Sequence, residues 1–149
     1  MIESESFLKG TSTIITVLDR INCKVKNTTI KSLYDELKQT TGIESNKKYQ
    51  ILNESGFQTF TGIICEKSNE WATIFFSNDT LIECNPGNQI KKHKDFIKTE
   101  KLCELDSLDD FLTIEKIGFS KGKTSEFFGI TGMNYQNDFI ANAIINKSI

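Results

Sequence analysis

Side chains able to do chemistry are few and scattered in this 149-residue chain. Cys23, Cys65, Cys84 and Cys103 lie far apart and form no C-x-x-C pair, and His93 is the single imidazole that could join them. Zinc needs four soft ligands, mostly at short spacings, so no metal site is expected. His93 sits inside "KKHK", Lys91 to Lys94, a positive run without the interleaved aromatics that a stacking platform for nucleic acid requires. It reads as a solvated loop, and His93 as an exposed residue rather than a base. Glu104, Asp106, Asp109 and Asp110 make one acidic group with no second cluster to complete a cation shell, so they read as surface. Gly118, Gly122, Gly129 and Gly132 are not followed by a strand-to-helix transition and do not form a phosphate loop.

Composition narrows the class. Hydrophobic content of 38%, charged content of 26% and one proline describe a folded globular chain rather than a disordered one. The length suits a single domain over 1–149. A net charge of -2 gives no global attraction to nucleic acid or anionic membrane, and no apolar run approaches the roughly 18 to 20 residues that span a bilayer. The opening "MIESES" lacks a signal-peptide pattern. Reduced cysteines and a cytoplasmic setting are therefore expected.

The elements that must position any site are mostly strands. "TSTIITVLD", Thr11 to Asp19, is rich in β-branched residues and reads as a strand. In "TTIKSLYDELKQTTG" the period changes: Ile30, Leu33, Tyr34 and Leu37 fall at i, i+3, i+4 and i+7 between a threonine cap and Gly42, predicting a helix over about 29–40. Next come the strand "YQIL", the turn "NESG", a strand "FQTFTGIIC", a polar loop "EKSNE", and a hairpin from Trp71 to Cys84 turning at Asn78 and Asp79. "NPGN" has the residues of a type II turn. "DSLDDFL" suggests a single helical turn. "FLTIEKIGF", "EFFGIT" and "DFIANAII" read as three further strands divided by glycine-containing loops. Trp71 and the phenylalanines fall on these strands, where core packing is their ordinary use.

Four stretches in this order resemble the Hint (hedgehog and intein) family, and particularly inteins lodged in phage genes such as large terminases. "SFLKGTSTIIT" from Ser6 is similar to the first intein block, where a nucleophilic Cys or Ser opens a strand. "TIFFSNDTLIECNPGNQI", Thr73 to Ile90, resembles the hairpin that ends in Thr-x-x-His. "DFIKTEKLCELDSL", Asp95 to Leu108, resembles the segment after it, and "FFGITGMNYQNDFIANAIINKSI", Phe127 to Ile149, the closing blocks. The resemblance implies an all-β horseshoe of short strands with pseudo-two-fold halves and one inserted helix.

Splicing needs an activated nucleophile, donors to a developing oxyanion, and an asparagine that cyclises. The resemblance places Ser6 at the nucleophile. It places Asn85 and Asn88 at the Thr and His of Thr-x-x-His, and an amide cannot shuttle a proton near neutral pH. Gly129 falls at the family aspartate, and Gln136 or Asn137 at the next histidine. Lys147 falls at the penultimate histidine, Ser148 at the cyclising asparagine and Ile149 at the downstream nucleophile. A shift by one residue would make Asn146 the cyclising residue. Every corresponding position except Ser6 is thus replaced. The expectation is a Hint fold without catalysis, reused as a structural or protein-interaction component of a phage virion or its assembly. Its partners would be proteins, with no membrane, nucleic acid or cofactor expected, in the host cytoplasm or incorporated in a virion. The alternatives are self-processing through Ser6, and a nucleic-acid-binding module using Lys91 to Lys94.

Overall fold

The structure, a computed structural model, describes residues 7–40 and 47–149, without the side chains of 38–40. Its first half runs β1 (Leu8–Lys9), β2 (Ile14–Asp19), β3 (Lys24–Thr29), α1 (Ile30–Thr40), β4 (Tyr49–Asn53), β5 (Gly56–Thr59) and β6 (Gly62–Phe76). The second half runs β7 (Leu81–Cys84), β8 (Gln89–Lys92), β9 (Asp95–Lys98), a 3-10 turn (Thr99–Lys101), β10 (Ser107–Asp109), β11 (Leu112–Thr131), β12 (Asp138–Ala141) and β13 (Ile144–Lys147). The architecture is all-β with one α-helix among the described residues, as expected from the sequence.

Two sheets enclose one core. The five-stranded sheet has the order β1-β7-β6-β11-β10, and β1 also pairs with β11, so these strands curl round on themselves. The eight-stranded sheet runs β5-β4-β2-β12-β13-β8-β9, with β3 paired to β2. Ile15, Val17, Ile51, Ile74, Ile82, Phe128 and Phe139 meet between them, all essentially without solvent contact. Burying a side chain of this size contributes about 1.5–3 kcal/mol.

The helix forms for the reasons its sequence supplies. Ser32 N–H donates to Thr29 Oγ1 at 3.1 Å, which is the N-cap bond. Ile30, Leu33 and Leu37 bury one face, and Tyr34 packs its ring 4.8 Å from Phe128. The proposed terminator Gly42 lies outside the described residues.

The Trp71–Cys84 hairpin is present, with Asp79 at φ 65 in its turn. Other expectations need correcting. "FQTFTGIIC" is broken at Phe60 and Thr61, and "EKSNE" is no loop but the middle of β6. That segment pairs with β11 from Phe127↔Glu66 to Lys121↔Glu70, and Lys121 bonds Glu70 at 3.0 Å. Much of it is solvated on both faces, so no apolar alternation marked it as strand. "FLTIEKIGF" and "EFFGIT" are likewise parts of β11, with only a register shift between Lys121 and Ser125. Gly118 and Gly122 continue the strand rather than turning it, and Gly122 also gives room: a Cβ there would stand 3.1 Å from the Trp71 ring.

"DSLDDFL" is not a helical turn but the β10–β11 hairpin, where Asp109 Oδ1 accepts from Phe111 N–H at 2.8 Å. "DFIANAII" is a hairpin of two strands rather than one, turning on Asn142 and Ala143 at φ 49 and 64. The first expected strand begins only at Ile14. The polar "KVKNTT" of β3 and the short β8 and β9 gave no strand pattern in the sequence.

Candidate functional site

The fold brings both ends of the described chain to one stretch of β11. Leu8 pairs with Phe128 on β11 and with Cys84 on β7. From the other terminus, Ile149 N–H donates to the Ile130 carbonyl at 2.8 Å, and Ser148 N–H to the Asn137 carbonyl at 2.8 Å. Gly129, buried and paired with Ile64, lies between the two contacts. Residues about as far apart in sequence as the chain permits therefore meet across two backbone positions.

Asn85 fixes the entrance. Its N–H donates to the Phe7 carbonyl at 3.1 Å, and its Oδ1 accepts from Phe7 N–H at 3.3 Å. The backbone at Phe7 is thereby held on both sides by one residue. Ser6 lies outside the described residues.

The "NPGN" turn closes through Asn88 N–H to the Asn85 carbonyl at 3.0 Å, but Gly87 does not take a positive φ, so the turn is not type II. Tertiary bonds set its shape instead: Glu100 N–H reaches the Pro86 carbonyl, and Thr99 donates both its N–H and its hydroxyl to the Asn88 carbonyl.

Asn88 has no solvent contact, and its amide nitrogen donates to Asn146 Oδ1 at 3.1 Å while its Oδ1 has no partner. Asn146 is equally buried and returns its own amide nitrogen to the Ile144 carbonyl at 2.9 Å. Side chains alternate along a strand, so Ser148 shares the face of Asn146 while Lys147 points to the opposite side. Ser148 Oγ is buried without a hydrogen-bond partner. Beside Asn88, the Cys84 thiol approaches Thr99 Oγ1 at 3.5 Å, and full burial pushes its pKa up to about 12. It stays protonated and unreactive at neutral pH.

The junction thus collects Asn85, Asn88, Gly129, Asn146, Ser148 and the Cys84 thiol: donors and acceptors, with no group that exchanges a proton near pH 7. Other positions singled out in the sequence lie elsewhere. Asn137 and Gln136 are exposed, and Asn137 reaches the junction only through its carbonyl. His93 is exposed in the β8–β9 turn at φ 56, separated from Asn88 by the whole of β8, or roughly 16 Å along the strand. Lys91 and Lys92 end β8 rather than forming a free loop, and pair with Glu54 and Asp106. Asp106 and Asp109 also hold backbone N–H groups of Cys103 and Phe111. No group of three potential metal ligands occurs among the described residues.

Thr99, Asn142 and Asp138 were not singled out from the sequence. Asn142 carried a signal, since an Asn at a two-residue turn between apolar pairs marks a hairpin. Asp138 carried none. It is nearly buried, its Oδ1 has no partner, and burial first and Glu54 second push its pKa up, with Lys91 acting against them. A carboxyl whose folded pKa exceeds its unfolded value binds its proton more tightly in the native state. Its stabilising contribution is therefore present at low pH and lost as pH rises through the folded pKa. Replacing Asp138 with Asn is expected to raise the melting temperature by about 2–4 °C at pH 7, on the order of 1 kcal/mol, and by much less near pH 4. Equal gains at both pH values in calorimetry would contradict this assignment.

No family model and no curated protein matches the sequence. Solved structures do. The transcription factor IIB Mvu mini-intein superposes with a TM-score of 0.79 at 15% identity, covering 95% of this chain and 99% of that one. A DnaB intein from Synechocystis sp. PCC 6803 gives 0.66 at 15%, covering 96% and 98%. The bacterial intein-like domain from Clostridium thermocellum gives 0.66 at 14%, covering 98% and 100%. Identity this low carries the fold and not the activity. With the two ends of its described residues converging on β11 and its two curled sheets around one core, the chain has the Hint fold of inteins and intein-like domains.

Proposed function

We propose that this chain is a catalytically inactive Hint-fold protein, kept as a structural or protein-interaction component of a phage virion or its assembly. The observation that carries the reading is the buried Asn88–Asn146 amide pair at the junction. Asn88 stands where the family resemblance calls for an imidazole, and its nitrogen is committed to Asn146. Asn146 is the asparagine that a one-residue shift of the resemblance would make the cyclising residue, and its nitrogen is committed to Ile144. Cyclisation needs that nitrogen on the residue's own carbonyl carbon, with a general acid beside it. Gly129 and Ser148 supply no replacement acid, base or cyclising amide, and Lys147 lies on the opposite side of β13 from Asn146. The phage setting rests on the resemblance of the sequence blocks to terminase inteins.

Nucleic-acid binding through Lys91 to Lys94 is the weaker reading, because Lys91 and Lys92 already have carboxylate partners.

Intact-mass measurement after expression tests the proposal. A single 16.9 kDa species, unchanged by overnight hydroxylamine or thiol treatment, is the expected result. Loss of the five residues before Ser6, or release of a segment after Asn146, would overturn it.

A further inference from the structure

Asp138 has too few partners for its depth. It is 5% exposed and its Oδ1 has no hydrogen-bond partner, so an ionised carboxylate there would lack a donor that normally offsets burial. The loop before it is tied to the β4–β5 turn: Asn53 Nδ2 donates to the Tyr135 carbonyl at 3.0 Å, and Ser55 Oγ donates to Gln136 Oε1 at 3.0 Å.

Charged groups act on the Asp138 carboxyl from three elements. Glu54, on the β4–β5 turn, opposes its ionisation, and Lys91, on β8, favours it. Lys147 stands opposite it on β13 and shares its side of the sheet. Glu54 and Lys91 are bonded to each other at 2.5 Å, so the carboxyl sits near an existing ion pair. His93 lines the same cavity of about 140 Å³ as that pair.

Register places Lys91 within reach of both carboxylates. Ile90 pairs with Asn146 and Asp138 with Lys147, which puts Lys91 two strands across and two residues along from Asp138, on the same side of the sheet. At about 4.8 Å per strand and 3.3 Å per residue the backbones stand roughly 12 Å apart, a gap that extended lysine and aspartate side chains together span. While Asp138 is neutral, Glu54 has no rival for the ammonium. Once Asp138 loses its proton the two carboxylates compete. The Glu54 side chain is 42% exposed and water can solvate it in place of Lys91, whereas the buried carboxylate is poorly screened and gains more from the cation.

We propose that these residues form a proton-driven switch: Lys91 bonds Glu54 while Asp138 is neutral, and moves to Asp138 when it ionises. The β4–β5 turn then keeps its Asn53 and Ser55 ties but loses its link to β8. Burial and Glu54 raise the Asp138 pKa, so the exchange falls above the ordinary carboxylate range. Neither Ser6 nor the Asn88–Asn146 pair takes part, and the switch stands apart from the functional reading.

An NMR titration of the whole chain from about pH 3 to about pH 9, following side-chain carboxyl carbons and backbone amides, decides it. Asp138 should titrate above the ordinary carboxylate range, and Glu54 and the Ser55 amide should show a step at the same midpoint. Asp138→Asn should abolish that step, and Glu54→Gln should lower the Asp138 midpoint. Lys91→Met should raise the midpoint and also remove the step at Ser55. His93→Gln should leave the step in place, which separates it from titration of the imidazole. An Asp138 that ionises in the ordinary range would overturn the proposal, as would a step that survives Asp138→Asn. A step that persists in Lys91→Met would come from direct repulsion between carboxylates and would overturn the exchange of Lys91.

Discussion

Replacing Asn142 with alanine is expected to cost about 3 kcal/mol and lower the melting temperature by about 6–12 °C. The side chain works as a clamp between elements remote in sequence. Its Oδ1 accepts from Ile14 N–H at 2.6 Å, and its amide nitrogen donates to the Ser12 carbonyl at 3.0 Å and the Leu81 carbonyl at 2.8 Å. One residue therefore ties the β12–β13 turn to the start of β2 and to β7 of the other sheet. Each bond contributes about 0.5–1.5 kcal/mol net, and alanine would also have to hold a left-handed φ that asparagine tolerates better. Asn142→Gly separates the two effects, because glycine relieves the backbone and still loses all three bonds. It should retain most of the loss. Urea unfolding of the two variants is the measurement, and a change below about 0.5 kcal/mol in both would show that the clamp is not holding the sheets together.

Gly132→Ala should be comparably damaging, by about 3 kcal/mol, for a different reason. Gly132 follows β11 with φ +68, and a Cβ there would lie 2.0 Å from Thr61 Oγ1 and 2.5 Å from Thr61 Cβ. The Thr61 backbone cannot retreat easily, since its N–H donates to the Thr131 carbonyl at 2.9 Å. Pairing Gly132→Ala with Thr61→Gly removes the collision and leaves the left-handed strain, of about 1 kcal/mol. The double variant should thus recover more than half of the loss relative to Thr61→Gly alone. Additive losses would mean that backbone conformation, and not crowding against Thr61, sets the cost.

These two residues show why parts of the molecule were invisible in the sequence. Asn142 and Gly132 sit in turns whose residue types are ordinary, and their partners are 61 to 130 residues away in the first case and 71 in the second. No local pattern encodes such partners. Strand recognition failed in the same way wherever local period was absent: Glu66 to Glu70 pairs strongly with β11 but is solvated, so hydrogen bonds across the sheet and not apolar alternation make it a strand. The pairing also overrode glycine, which punctuates an isolated segment but at Gly118 and Gly122 continues β11.

Ile30, Leu33 and Leu37, with the Thr29 cap, determined α1 by themselves, because helical spacing and capping are local. The ordered blocks "SFLKG", "LIECNPGN" and "FIANAII" were sufficient for the all-β Hint horseshoe, and the residue types at Asn85, Asn88, Gly129 and Ser148 already excluded a proton-exchanging group at those positions. Only the tertiary structure decided how those positions meet. The Asn88–Asn146 pair joins residues 58 apart, Phe7 is gripped by Asn85 from 78 residues away, and the end of the chain is bonded to Ile130. A buried amide takes whichever partner the closed sheets offer, and that choice belongs to the packing of β8 against β13 rather than to either segment alone.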